Sequence, residues 1–127
     1  MNSLDTNVVL RYLLNDVPEQ SAKSKNIITS TTVYLTDVIA VEIVFVLERV
    51  IGIERSDIVR LVKSFLSLPN LTYNDYFLDQ SLDLYSANKN LSIVDCYAAT
   101  EAKVYGNNLV TFDKELSKKG GVHVKNL

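Results

Sequence analysis

The chain holds one cysteine and one histidine, no tryptophan, two prolines and four glycines in 127 residues. A lone cysteine, Cys96, excludes an internal disulfide framework and any thiolate cluster on zinc. It stands among Val94, Tyr97, Ala98 and Ala99, the setting of a packed, inert thiol and not of a nucleophile. The lone His123, in Gly121-Val122-His123-Val124, has no triad partner, which removes the histidine-rich zinc hydrolases. It reads as a solvated side chain on a terminal strand. Long apolar runs are missing too: none approaches the roughly 18 residues of a membrane span, and the longest, Val38–Leu47, carries Glu42 in its middle. Met1–Asp5 lacks the positive flank and apolar stretch of a secretory leader, so the cytoplasm is the expected location. Neither sign of charge dominates. Thirteen Lys and Arg against fifteen Asp and Glu leave a net charge of −2, and a polycationic grip on nucleic acid is not expected from charge alone.

What remains is an ordinary globular composition, 47% hydrophobic and 22% charged, of a length that makes one domain over residues 1–127. No repeat or linker interrupts it, and Pro18, Gly52 and Pro69 fall between apolar segments. Short strands are expected at 2–5, 32–36, 71–73, 109–111 and 122–124. Helices are expected at 7–15, 19–30, 38–51, 56–66, 75–88 and 93–105, with a helical turn at 114–118. Gly106 supplies a C-terminal stop for the helix before it. Alternation of this kind predicts an α/β fold with a mainly parallel central sheet and helices on both faces.

Four carboxylates stand out, each with a structural explanation to be weighed against a functional one. Asp5 and Asp113 follow predicted strands and precede helices, where aspartate caps the first-turn amides. Ser92-Ile93-Val94-Asp95 has the form of a capping box. Glu42 fits such a role least well, because nine of the ten residues Val38–Leu47 are apolar. A helix apolar nearly all round is expected to be buried, and an unpaired carboxylate there costs on the order of several kcal/mol. Arg49, at i+7, is too far along to pair with it. A metal or a partner from elsewhere in the chain is the expected resolution. Parallel strands would bring all four acids to the sheet edge where open α/β sheets bind ligands. Acids converging without a cation resist ionisation, and a divalent ion reverses that. All-oxygen ligation selects magnesium or manganese.

These residues fall in segments that resemble a known family. Leu4-Asp5-Thr6-Asn7-Val8-Val9-Leu10-Arg11-Tyr12-Leu13, Val41-Glu42-Ile43-Val44-Phe45-Val46-Leu47-Glu48-Arg49, Asp95-Cys96-Tyr97-Ala98-Ala99 and Leu109-Val110-Thr111-Phe112-Asp113 appear in the order of the motifs of PIN-domain proteins. They resemble in particular the VapC-type toxins of toxin–antitoxin pairs. The resemblance implies a PIN-like three-layer fold and a divalent-metal-dependent endoribonuclease. Asp5, Glu42, Asp95 and Asp113 would be its catalytic and metal-site acids, with Thr6, Asn7 and Thr111 as polar supporters. It also implies a homodimer and a neutralising antitoxin partner. Ser3, where an apolar strand residue is usual, and Cys96, where a small residue is common, are minor departures.

The chemistry expected is hydrolysis of an RNA phosphodiester by metal-activated water, with one or two ions. Asp5 and Asp95 are first choices as direct ligands. Glu42 would ligate or orient the water, and Asp113 would act through water. Arg11, Lys114, Lys118 and Lys119 are candidate phosphate contacts, against the alternative of a solvated basic face. A phospho-acceptor receiver module needs adjacent acids after its first strand, and Asp5-Thr6 stands there. A haloacid-dehalogenase phosphatase needs a second aspartate where Asn7 stands. A PIN-like scaffold that binds RNA or a partner without cleavage is disfavoured by the presence of all four acids.

Overall fold

A computed structural model describes all residues, 1–127. They divide into two compact units, Met1–Asn74 and Asp75–Leu127. The first contains β1 (Asn2–Ser3), α1 (Thr6–Leu14), α2 (Pro18–Ser30), β2 (Val33–Leu35), α3 (Asp37–Val46), α4 (Arg55–Leu66) and β3 (Leu71–Tyr73). Its strands form one parallel sheet in the order β1-β2-β3, with Asn2 opposite Val33 and Val33 opposite Leu71. The central strand is the most buried, as Val33 and Leu35 are both enclosed. The helices of this unit bury Val9 and Leu10 of α1, Ile43 and Val44 of α3, and Ile58 and Val62 of α4. Pro18 opens α2 at its first position, where no N–H is needed. The side-chain amide of Asn70 donates to the carbonyls of Ile28 and Thr31, which ties the end of α2 to the start of β3.

The second unit contains α5 (Leu78–Ala87), α6 (Ile93–Tyr105), β4 (Leu109–Thr111), α7 (Lys114–Lys119) and β5 (Val124–Asn126). β4 and β5 pair in parallel, Leu109 opposite Val124. The core of this unit gathers Leu82 and Tyr85 of α5, Ile93, Cys96 and Ala99 of α6, and Leu116 and Val124. Cys96 is the buried thiol expected. Gly106 closes α6 in the left-handed conformation, its N–H donating to the carbonyls of Ala102 and Lys103.

The chain is thus α/β with parallel strands throughout, as its alternation predicts. Three elements differ from expectation. The helix predicted over 38–51 is α-helical only to Val46; Leu47–Ile51 form a π-helical turn, in which the N–H of Gly52 reaches back to Leu47 O. The helix predicted from 75 begins at Leu78, because Asp75–Phe77 form a turn. The last strand is displaced from 122–124 to Val124–Asn126. Gly121 (φ +119°) turns the chain there, and its carbonyl accepts from Val124 N at 3.0 Å. His123 consequently lies in the turn. Its Nε2 is 2.6 Å from Ala99 O, so it is a half-buried, bonded side chain and not the solvated one expected. A carbonyl can only accept, so Nε2 carries the proton.

Candidate functional site

Asp5 lies two residues beyond the end of β1. The N–H of Leu4 donates to Tyr34 O at 3.0 Å, which fixes the chain just ahead of it. It occupies the N-cap position of α1 in extended conformation, yet its side chain accepts no bond from the first-turn amides. The capping role that its position suggests is therefore not performed. The exposed carboxylate makes no hydrogen bond or ion pair within the chain. Beside it, Thr6 is buried and its Oγ1 has no partner. Asn7 lies exposed in the same turn. A buried hydroxyl without a partner costs about 1–3 kcal/mol, so this end of α1 is under-satisfied in the protein alone.

Glu42 requires a correction. Its helix is apolar nearly all round but not buried all round. Val38, one turn before, is 75% exposed, and Phe45, nearly one turn after, is 49% exposed. Glu42 stands between them, exposed, on the one stripe of α3 that leaves the core, while Ala40, Ile43 and Val44 face inward. The desolvation cost expected from the sequence therefore does not apply. What holds is that Glu42 has no cation: no salt bridge or hydrogen bond engages it. Glu48, six residues further on, is the acid that is paired, to Arg55 Nε at 2.9 Å. α1 and α3 pack on one another, so Thr6 and Glu42 lie on neighbouring helices of this unit. The sequence did not single out Asp37, the first residue of α3, whose Oδ2 lies 3.3 Å from Asn74 Nδ2. An acid in a helix's first turn was the available signal.

In the second unit the capping expectations hold. Ser92 Oγ accepts from Asp95 N at 3.1 Å and Asp95 Oδ2 accepts from Ser92 N at 3.3 Å, a complete capping box. Asp95 is half-buried. Asp113 Oδ1 accepts from the amides of Glu115 at 2.9 Å and Leu116 at 3.1 Å, capping α7. Thr111 Oγ1 accepts from Asp113 N at 3.0 Å, so Thr111 orients the residue bearing this acid. α6 and α7 both pack against β4.

The four acids thus fall two to each unit, and no three His, Cys, Asp or Glu side chains are gathered within reach of one metal ion. As donors they suit a hard cation: all are carboxylates, and those of Asp5 and Glu42 have no protein partner. The orphaned Thr6 hydroxyl adds a further oxygen of the kind that supports such ligands.

The basic candidates separate. Arg11 Nε lies 3.3 Å from Asp16 Oδ1, close enough for an ion pair but off the N–H axis, so no hydrogen bond forms. Lys114 follows Asp113 directly and is exposed. Lys118 and Lys119 sit in the last turn of α7, about 7–9 Å along the helix from its capped end. They are placed to offset the C-terminal carbonyls of that helix, the bland alternative to a phosphate contact.

Residues 3–122 match the family model described as the PIN domain. The comparison with curated proteins returns no match.

Proposed function

The chain belongs to the PIN-domain family, a nuclease-type fold commonly served by divalent metal, and on that premise we propose that it is a magnesium- or manganese-dependent endoribonuclease. In this reading Asp5, Glu42, Asp95 and Asp113 are its acidic residues, and it acts as the toxin of a type II toxin–antitoxin pair. The observation that carries the proposal is the unused carboxylate of Asp5. An aspartate at an N-cap that does not cap, next to a buried and unpartnered threonine hydroxyl, has no structural task left in the protein.

When bound, the divalent ion lowers the pKa of water and offsets charge on the phosphoryl group. Asp5 and Glu42 would hold it, and Asp95, whose rotamer the capping box restrains, is the further acid that the family resemblance implies. Asp113 would act at longer range, since its Oδ1 already accepts two amides and its other oxygen is left to face water or substrate. Thr6 and Asn7 would donate to the acid beside them, while Thr111 fixes the residue bearing the last one. Lys114 would meet the phosphate backbone beside that acid. A homodimer in the cytoplasm, neutralised by an antitoxin, is the state that the VapC-type resemblance implies. No helix is long and apolar enough to cross a membrane.

The test is cleavage of a panel of transfer, ribosomal and messenger RNAs with added magnesium or manganese. Activity should vanish in EDTA, return on adding either ion, and be absent in Asp95→Asn. Cleavage that persists in EDTA or in the variant would refute the metal mechanism. A folded protein that cleaves none of the RNAs with metal present would favour the non-cleaving scaffold.

A further inference from the structure

Between α1 and α2 lies an open groove of about 420 Å³, lined by Asn7, Val8, Arg11, Gln20, Lys23 and Ser24. No carboxylate lines it. Five of the six side chains can donate a hydrogen bond, two of them with a formal positive charge. Ser24 is only 6% exposed, and its hydroxyl has no hydrogen-bond partner. Ser21, one turn before it on α2, accepts from Val17 N at 3.4 Å, so the free hydroxyl is not a general property of this helix. Asn7 and Val8 belong to the first turn of α1, whose amides no side chain caps and whose end carries partial positive charge. The competing acids are weakly held. Lys23 meets Glu19 at 3.3 Å with both side chains largely in solvent, an arrangement of little net strength. The Arg11–Asp16 contact uses only Nε, leaving the two terminal nitrogens of the guanidinium fork for a bidentate acceptor.

We propose that this groove is a phosphate-binding subsite for the backbone of the substrate strand, next to the one served by Asp5. The inference rests on the nuclease reading for its substrate and adds where a neighbouring phosphate sits. The groove starts two residues beyond Asp5 and reaches Arg11, about 3–9 Å along the axis of α1, so a strand presented to Asp5 has its next phosphates within reach. Ser24 donates from the floor of the groove, Asn7 and Gln20 donate from its walls, and Arg11 and Lys23 supply the charge. An acidic protein thereby obtains a local cationic track without a basic surface.

The test is binding of the full-length protein to a fluorescently labelled single-stranded RNA in EDTA, by anisotropy over a range of salt concentrations. Lys23→Gln should weaken binding at least threefold and reduce the slope of log K against log salt by about 0.7, the loss of one phosphate contact to a single strand. Ser24→Ala should weaken binding at least threefold and leave the slope unchanged. Lys25→Gln makes the same charge change on the same helix, but Lys25 lines a different groove with Tyr12 and Pro18; it should match the parent protein. Equal effects of Lys23→Gln and Lys25→Gln, or an unchanged slope in Lys23→Gln, would overturn the proposal. Inorganic phosphate and a mononucleotide, titrated by NMR, supply the second arm. Weak shifts at Asn7, Gln20 and Ser24 that RNA saturates at far lower concentration support a strand site. Equal affinity for free phosphate and RNA would overturn the strand assignment. Because the binding arm needs no metal, it stands apart from cleavage: a groove that binds RNA in a protein that never cuts it sinks the nuclease reading alone. Metal-dependent cleavage with unchanged KM in Lys23→Gln and Ser24→Ala sinks the groove alone.

Discussion

Asp5 and Asp113 occupy the same local position, the N-cap of a helix that follows a strand, and substituting each by alanine should separate their roles. Asp113 Oδ1 accepts two amide hydrogen bonds at the start of α7, and losing such a cap costs about 1 kcal/mol. For a 127-residue chain, an unfolding entropy of roughly 2.1 cal/mol/K per residue gives about 0.27 kcal/mol/K, so Asp113→Ala should lower Tm by about 4 °C. Asp5 makes no cap bond. Asp5→Ala forfeits only a screened interaction with the helix end and should stay within about 0.5 kcal/mol of the parent, or about 2 °C. Thermal unfolding followed by circular dichroism in EDTA isolates these terms from any effect of bound metal. Cleavage should nonetheless fall by at least a hundredfold in Asp5→Ala. A drop in Tm as large for Asp5→Ala as for Asp113→Ala would show that Asp5 is a structural cap after all, and the inference from its unused carboxylate would fail.

Thr6→Val replaces a buried hydroxyl that has no partner with a methyl group of the same shape; metal-free stability should hold or rise, by up to about 1 kcal/mol, while metal-dependent activity falls, as melts and kinetics on one sample would show. Glu42→Gln changes an exposed, unpaired side chain, so Tm in EDTA should be unchanged and the stabilisation by added manganese should shrink; loss of stability without metal would place Glu42 in the fold and not in the site. Gly120→Ala puts a Cβ 2.7 Å from the Leu116 carbonyl oxygen and 2.9 Å from Val124 Cγ2, an overpacking that should cost about 1–3 kcal/mol in chemical denaturation.

The elements readable from sequence were those with strong local signals. α6 has its boundaries as predicted because Ser92, Asp95 and Gly106 mark both ends chemically, and β3 and β4 match because short apolar runs sit between polar turns. Periodicity carries no comparable information about which apolar face is covered. The run Val38–Leu47 has no polar side to orient it, so the exposure of Val38, Phe45 and Glu42 depends on what packs against α3, which composition does not encode. The displaced final strand has a similar origin: Val122 looks like a strand residue but is 94% exposed, since the positive φ of Gly121 turns the chain two residues later than hydropathy suggests. Of the candidate site, the identity of the acids was legible and their bonding was not. Whether an N-cap aspartate caps is a matter of rotamer, and Asp5 and Asp113 look alike until the hydrogen bonds are counted. Ser24 gave no signal at all, as a serine on a polar helix face shows its burial only once α1 and α2 are packed.

The wide turn at the end of α3 bears on how chains of this kind can vary in length. Leu47–Ile51 accommodate one residue more than an α-helical turn would between Leu47, which is fully buried, and Gly52, which ends the helix. Deleting one of the exposed residues Arg49 or Val50 would let the segment close as ordinary α-helix, with Leu47 and everything before it, Glu42 included, left in phase. An insertion placed between Glu42 and Leu47 has no such outlet, since it rotates the helix by about 100° per residue and puts Glu42 out of phase with the buried Leu47. Tolerance of length change should therefore be sharply asymmetric along this one helix, permissive after Leu47 and closed before it.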